Sequence, residues 1–269
     1  MPELPEVQTI VSDLNKEIKN LRIVNLWLDL PYSIDRKKLI GSTILGVRRR
    51  AKNILIDLDN EGILLIHLKM TGKLIINSKI KMQNEKFRKH VHLVFDLDDG
   101  RELVFSDVRK FGKVILDSKK RIEARLLGLG PEPLSKEFTF PVFDLAIVNR
   151  RRAIKLVLLD QYVISGIGNI YSDDILWKAR IDPRKLACDL SLKEKKRIWS
   201  AISNVLSRAI KLRGSSISDY RDFYGKEGGY QKIRLVYDRY KEKCRRCAAM
   251  ILKIKIGGRS SCFCPGCQK

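Results

Sequence analysis

The chain opens Met1-Pro2-Glu3-Leu4-Pro5-Glu6-Val7, so two carboxylates lie within four residues of a proline that becomes a free secondary amine once Met1 is removed. An α-amino group titrates near about 8 against about 10.4 for a lysine, so more of it is neutral and nucleophilic at neutral pH. Condensed with a sugar aldehyde, such an amine gives an iminium, a fixed cation that withdraws electrons from the neighbouring carbons. Pro5 also has a plainer explanation, as a first-turn proline whose missing N–H costs a helix nothing. At the other end, Cys244-Arg245-Arg246-Cys247 and Cys264-Pro265-Gly266-Cys267 are separated by sixteen residues. Two C-x-x-C pairs supply four thiolates to one tetrahedral zinc. Lys253, Lys255 and Arg259 fall between them, so the metal is expected to brace a basic hairpin. Cys262 would share the strand face of Cys264, which leaves ligand swapping open. The C-x-x-C bite favours Cys244, Cys247, Cys264 and Cys267, with Cys262 a spare thiol and Cys188 a small core residue.

These groups need a scaffold and a partner. The 269 residues are enough for two domains, and a hydrophobic content of 44% supports real cores. A balance of 54 Lys+Arg against 31 Asp+Glu gives +23, which points to a polyanion, because each neutralised phosphate releases counterions. Nucleic acid ranks above an anionic membrane, since there is no long apolar segment and no signal-peptide core. An intracellular, cytoplasmic protein is expected, which turns the clustered cysteines toward metal rather than disulfides. No internal repeat is visible and nothing suggests an oligomer, so a monomer is expected.

Val7, Ile10, Val11, Leu14 and Ile18 recur at helical spacing, so a short amphipathic helix follows the N-terminus and anchors Pro2. From Arg22 to about Leu116 the texture is strand-like: Val24 to Leu30, Thr43 to Val47, Asn53 to Leu58, Ile63 to Leu68, His90 to Leu97, Glu102 to Phe105 and Lys113 to Leu116. Asp98-Asp99-Gly100 marks a hairpin, and repeated short strands imply a β-sandwich or barrel. Gly128-Leu129-Gly130-Pro131-Glu132-Pro133 punctuates the chain, and beyond it the pattern is helical. Ser191-Leu192-Lys193-Glu194 is a capping-box signature ahead of the stripe Ile198, Ile202, Val205, Leu206, Ala209 and Ile210, ended by Gly214. Residues 214 to 231 then read as a long Gly- and aromatic-rich loop.

Three separated motifs resemble bacterial formamidopyrimidine-DNA glycosylase: Pro2 to Val7, Leu158 to Gln161 running into Gly166-Ile167-Gly168-Asn169-Ile170-Tyr171, and Gly257-Gly258-Arg259 through Cys264-Pro265-Gly266-Cys267-Gln268. The resemblance spans essentially the whole chain. It implies an α+β fold with an N-terminal β-sandwich and flanking helix over residues 1–130. A helix-two-turn-helix domain with a lesion-recognition loop would follow over 131–235, and a C-terminal zinc-finger β-hairpin over 236–269. The implied activity is that of a bifunctional glycosylase and abasic-site lyase on damaged double-stranded DNA, with 8-oxoguanine and formamidopyrimidines as substrates and one structural zinc.

By the same resemblance Pro2 is the nucleophile at C1′, Glu3 the general acid/base, and Lys52 a phosphate grip beside the lesion. Glu6 either orients the amine or simply favours the helix dipole. His67, His90, Asn169 and Arg259 would clamp the DNA backbone, although His92 could exchange roles with His90. Lys155 matches a position near the lesion pocket. A base processed by an enzyme must leave the stack, and Met70, Arg109 and Phe111 resemble the triad that plugs the hole, with Arg109 also pairing the orphaned cytosine. Departures from the family pattern are Cys262 where a histidine is usual, Asp238 where a glycine is usual, and the loop Ser215 to Gln231, which in the family closes over the everted base. The rival readings are an endonuclease VIII-like glycosylase for oxidised pyrimidines and a non-catalytic zinc-finger protein that only binds nucleic acid.

Overall fold

A computed structural model of the chain describes residues 1–78, 89–216 and 220–269, and it divides into two compact units. The first comprises Met1–Leu127 with Arg213–Gly229, and the second Gly128–Leu212 with Tyr230–Lys269.

The first unit is a β-sandwich. Helix α1 (Leu4–Ile18) leads into β1 (Ile23–Leu28), the short α2 (Arg36–Leu39), and then β2 (Ile44–Arg50), β3 (Asn53–Leu58) and β4 (Gly62–His67). Next come β5 (Gly72–Ser78), β6 (Val91–Leu97), β7 (Arg101–Asp107), β8 (Lys113–Ser118) and α3 (Lys119–Leu126). Two four-stranded antiparallel sheets form, in the orders β1-β6-β7-β5 and β2-β3-β4-β8. One core joins them to α1, with Leu14, Ile54, Ile66, Phe95 and Phe105 among its buried members. The strands β3 and β4 read as nearly continuous apolar runs because both their faces are covered. Ile54 and Ile56 enter the shared core, while Leu55, Ile63 and Leu65 pack with Ile122 of α3. Asn15 of α1 accepts the Val47 N–H at 2.8 Å, which ties the helix to the edge strand β2.

The second unit is helical and ends in a β-hairpin. It contains α4 (Phe140–Ile147), α5 (Ile154–Leu159), α6 (Asn169–Ala179) and α7 (Leu192–Lys211), followed by β9 (Leu252–Ile256) and β10 (Arg259–Phe263). The Ser191–Glu194 capping box forms at the start of α7, and the stripe from Ile198 to Ala209 is buried. Between β9 and β10 the turn Gly257-Gly258 has φ of +52° and +79°, a two-residue turn with both centres left-handed that suits glycine. Strand β5 is an element that alternation alone does not single out, and it pairs with β7 from Gly72↔Asp107 onward.

Candidate active site and metal centre

Glu3 is the N-cap of α1 and shares a reciprocal capping box with Glu6, whose Oε2 accepts the Glu3 N–H at 2.8 Å. Pro5 sits in the first turn, where no N–H is needed. Pro2, Glu3 and Glu6 are all buried, whereas Met1 is exposed. With Met1 attached, the Pro2 nitrogen is a tertiary amide without nucleophilic character. Glu6 also reaches a distant stretch of backbone, since its Oε1 accepts the Ser215 N–H at 2.8 Å. The neighbouring Gly214 has φ +78°, and a Cβ there would lie 2.6 Å from Glu6 Oε1. A glycine is needed for that backbone to cross so close above the carboxylate. Glu6 therefore holds the start of the 214–216 segment against the head of α1, which goes beyond a favourable helix dipole.

The segment read from sequence as a long loop is built into the core of the first unit. Tyr220 and Phe223 are buried members of that core. Arg213 bridges Asp13 of α1 and Asp222, with Nε 2.7 Å from Asp222 Oδ2, and these two carboxylates raise its already high pKa. Tyr224 donates its hydroxyl to Glu17 at 2.9 Å. Residues 217–219, near the start of the expected lesion-recognition loop, lie outside the described residues.

The structure sorts the basic cluster at the edge of the second sheet. Arg48 pairs with Asp57 at 2.8 Å, and Arg49 donates to Gln8 and to the Ala51 carbonyl. Lys52 follows Ala51, which adopts φ +54° in the two-residue turn between β2 and β3, and is only 5% exposed. It is therefore no member of a solvated charge run. Close by, the His67 pKa is pushed down to about 4, chiefly by burial and then by the charges of Lys69 and Lys52. Its Nδ1 accepts the Lys69 N–H at 3.0 Å, so the neutral ring carries its proton on Nε2 and presents a donor. His90 is half-buried, with its carbonyl accepting the Asp107 N–H at 2.8 Å. His92 is fully committed: Nδ1 faces Asp29 Oδ1 at 3.0 Å and Nε2 faces the Asp107 carbonyl at 2.9 Å. His90, and not His92, keeps surface to offer a ligand.

Met70 and Phe111 project from two different turns and are 46% and 55% exposed. Arg109 links them, with Nη1 3.4 Å from the Met70 sulfur and the guanidinium 5.2 Å from the Phe111 ring centroid. Both large apolar side chains are thus exposed and set against one guanidinium rather than packed into a core.

In the second unit, the turn joining α5 to α6 is organised by Gln161. Its amide donates to the carbonyls of Leu159 and Ile167, and its Oε1 accepts the Gly166 N–H at 2.8 Å. This sets Gly168 as the N-cap of α6, with Asn169 at the helix N-terminus. The Asn169 amide donates to the Ser260 carbonyl at 3.0 Å, beside exposed Arg259 on β10, so the two expected phosphate contacts are neighbours. Lys155 is placed differently from its expected lesion-pocket role. It is 0% exposed, and its ammonium donates to Asp173 Oδ1 at 2.5 Å, Ser172 Oγ at 2.8 Å and the Asn169 carbonyl at 3.2 Å. All three protons have acceptors inside the second unit. Asp173 in turn accepts the Ser261 hydroxyl and the Cys262 N–H, tying α6 to the hairpin. Its neighbour Asp174 accepts the Tyr230 hydroxyl and the N–H groups of Leu235, Val236 and Tyr237. Neither acid stands out by sequence spacing. The Asp-Asp pair directly ahead of the apolar run Ile175-Leu176-Trp177 is the signal that could have found them.

The sulfur atoms of Cys244, Cys247, Cys264 and Cys267 lie within 4.8 Å of one another. The Trp177 indole N–H and the Arg246 N–H donate to Cys244 Sγ at 3.3 and 3.4 Å, the outer bonds that a metal thiolate takes. Four soft donors at this spacing fit one structural zinc. Cys262 is buried outside the cluster, and burial raises its thiol pKa.

Comparison with known proteins agrees with this reading along the chain. Residues 1–114 match the formamidopyrimidine-DNA glycosylase N-terminal domain, 129–221 its H2TH domain, and 241–269 the zinc finger found in FPG and IleRS. The formamidopyrimidine-DNA glycosylase of Streptococcus mutans is 39% identical over 277 residues, covering all of both chains. A Lactococcus lactis FPG mutant in complex with a Fapy-dG containing DNA superposes with a TM-score of 0.91 at 36% identity over all of both chains. The wild-type Lactococcus lactis FPG with an oxidized pyrimidine containing DNA gives 0.90 at 35%, again over all of both chains. The fold and site define a zinc-braced DNA glycosylase. The chain belongs to the formamidopyrimidine-DNA glycosylase family.

Proposed function

We propose that this glycosylase of base excision repair is bifunctional. It removes 8-oxoguanine and formamidopyrimidines from double-stranded DNA and then cuts the strand at the abasic sugar. Once Met1 is removed, the Pro2 lone pair bonds to C1′ as the glycosidic bond breaks, and the base departs with the proton that the amine nitrogen gives up. Glu3 protonates the sugar ring oxygen, which opens the ring and leaves the iminium. The iminium acidifies the adjacent C–H, whose proton loss expels the 3′ phosphate. A second elimination expels the 5′ phosphate. Lys52, His67, His90, Asn169 and Arg259 grip the phosphates, while Met70, Arg109 and Phe111 fill the space left by the everted nucleotide. Zinc on Cys244, Cys247, Cys264 and Cys267 keeps the Arg259 hairpin in shape. In this reading residues 1–130, 131–235 and 236–269 work as catalytic, helical and finger domains, on chromosomal DNA in the cytoplasm.

The observation that carries the proposal is a buried proline next to the chain start with the Glu3 and Glu6 carboxyls set around the head of one helix. Cutting assays on duplexes test it. Efficient incision at 8-oxoguanine opposite cytosine is expected, and incision at thymine glycol alone would overturn the purine assignment. The wild-type relative's complex with oxidised-pyrimidine DNA favours that lesion class as a secondary substrate here.

A further inference from the structure

Met70, Arg109 and Phe111 stand on turns that are far apart in sequence, yet one buried carboxylate reaches both. Asp107 is 1% exposed. Its Oδ1 accepts the hydroxyl of Thr71 and, at 3.2 Å, the N–H of Arg109. Its Oδ2 accepts the N–H of Gly112 at 2.7 Å. The donors are therefore the residue after Met70, Arg109 itself, and the residue after Phe111. The Arg109 N–H also lies 3.2 Å from Thr71 Oγ1, which closes the two turns on each other.

The surroundings leave this carboxylate little freedom. The Asp107 N–H donates to the His90 carbonyl at 2.8 Å, and its own carbonyl accepts from His92 Nε2 at 2.9 Å and from the Lys110 N–H at 3.3 Å. His92 is held from behind by Asp29. At Gly112 a Cβ would fall 2.4 Å from the Phe105 ring and 3.1 Å from Asp107 Oδ2, so only glycine lets this N–H approach. At Gly72 a Cβ would fall 2.4 Å from the Leu68 carbonyl oxygen, which keeps the other turn equally tight.

We infer that Asp107 and Thr71 form a positioning staple that sets the register of Met70, Arg109 and Phe111, and through Arg109 the enzyme's preference for the base opposite the lesion. The inference rests on the proposed plug role of those three side chains. The Arg109 N–H bond is an ordinary Asx turn, but the added Thr71 hydroxyl joins the second turn to the same carboxylate, so losing it releases both turns together. Neither Asp107 nor Thr71 touches DNA in this scheme, and both act through the turns.

The test compares Thr71→Val, Thr71→Ser and Asp107→Asn in two assays. One is kcat/KM on duplexes carrying 8-oxoguanine opposite cytosine or opposite adenine. The other is borohydride trapping on a single-stranded abasic oligonucleotide, which has no orphaned partner base. Hydrogen bonds to a charged group are worth about 1.5–3 kcal/mol, so Thr71→Val and Asp107→Asn should lower duplex kcat/KM by about ten- to a hundredfold more than they lower single-strand trapping. The preference for cytosine over adenine should flatten. Thr71→Ser, which keeps the hydroxyl, should restore both. Retained cytosine preference in Thr71→Val, or equal losses in the two assays, would overturn the staple. Failure of the underlying plug reading looks different, since Arg109→Ala would then process the duplex with unchanged opposite-base preference.

Discussion

Replacing Lys155 by methionine distinguishes a buried structural cation from a DNA contact. Methionine keeps the length of the stem and removes the ammonium, so the Asp173 carboxylate loses its 2.5 Å partner inside a fully buried site. Burial already raises the Asp173 pKa, and Lys155 is the main opposing influence. Breaking a buried pair from one side costs about 3–5 kcal/mol, because the remaining charge is uncompensated. At about 2–4 °C or more per kcal/mol for a unit of this size, the midpoint for unfolding of the second unit should fall by roughly 10 °C. The double variant Lys155→Met with Asp173→Asn removes the stranded charge and keeps an acceptor for the Cys262 N–H, so it should recover most of the loss. Thermal unfolding with zinc bound, run beside anisotropy on abasic duplex DNA, reads both quantities. A melting midpoint within about 2 °C of wild type combined with weakened DNA binding would refute the structural role.

Three other perturbations have expected outcomes. The unfolded His67 ring takes up its proton near 6.5 and the folded ring only near 4, so its contribution to stability is complete above 6.5 and is lost as pH falls toward 4. That amounts to at most about 3 kcal/mol, and urea unfolding of His67→Gln should show a flatter pH dependence, an unaltered slope being the contrary result. Zinc chelation or Cys244→Ser should weaken binding to abasic DNA by about tenfold or more and shift Trp177 fluorescence, because the indole donates to Cys244 at 3.3 Å. Unchanged affinity after chelation would contradict the bracing role. Gly214→Ala must move a Cβ off Glu6 Oε1 and leave φ +78°, so single-turnover excision should slow by about tenfold or more. A wild-type rate would show that Glu6 does not need the 214–215 backbone.

What the sequence discloses is local. The C-x-x-C pairs, the Ser191–Glu194 capping box and the Asp98-Asp99-Gly100 hairpin each depend on neighbours within a few residues, and each stands as expected in the fold. Strand β5 is identified only by its pairing with β7, its apolar run from Leu74 to Ile76 being short and set right after the tight Thr71-Gly72 turn. The 213–229 segment reads as an open loop because its partners, Asp13, Glu17 and the sandwich core, lie some two hundred residues earlier. Lys155 carries a family resemblance but not its surroundings: only the fold brings Asp173 and Ser172 onto it. The choice between His90 and His92 likewise rests on which of them faces Asp29 and the Asp107 carbonyl.

The covalent chemistry assigned to Pro2 is open to one decisive experiment. Purified enzyme is incubated with abasic duplex DNA and sodium borohydride, and the adduct is digested and sequenced by mass spectrometry alongside the intact mass of the free protein. The expected result is an intact mass lacking Met1 and a single DNA-linked peptide that begins at Pro2. A crosslink on Lys52 or another lysine, or full adduct yield from chains that retain Met1, would contradict the role of the N-terminal amine.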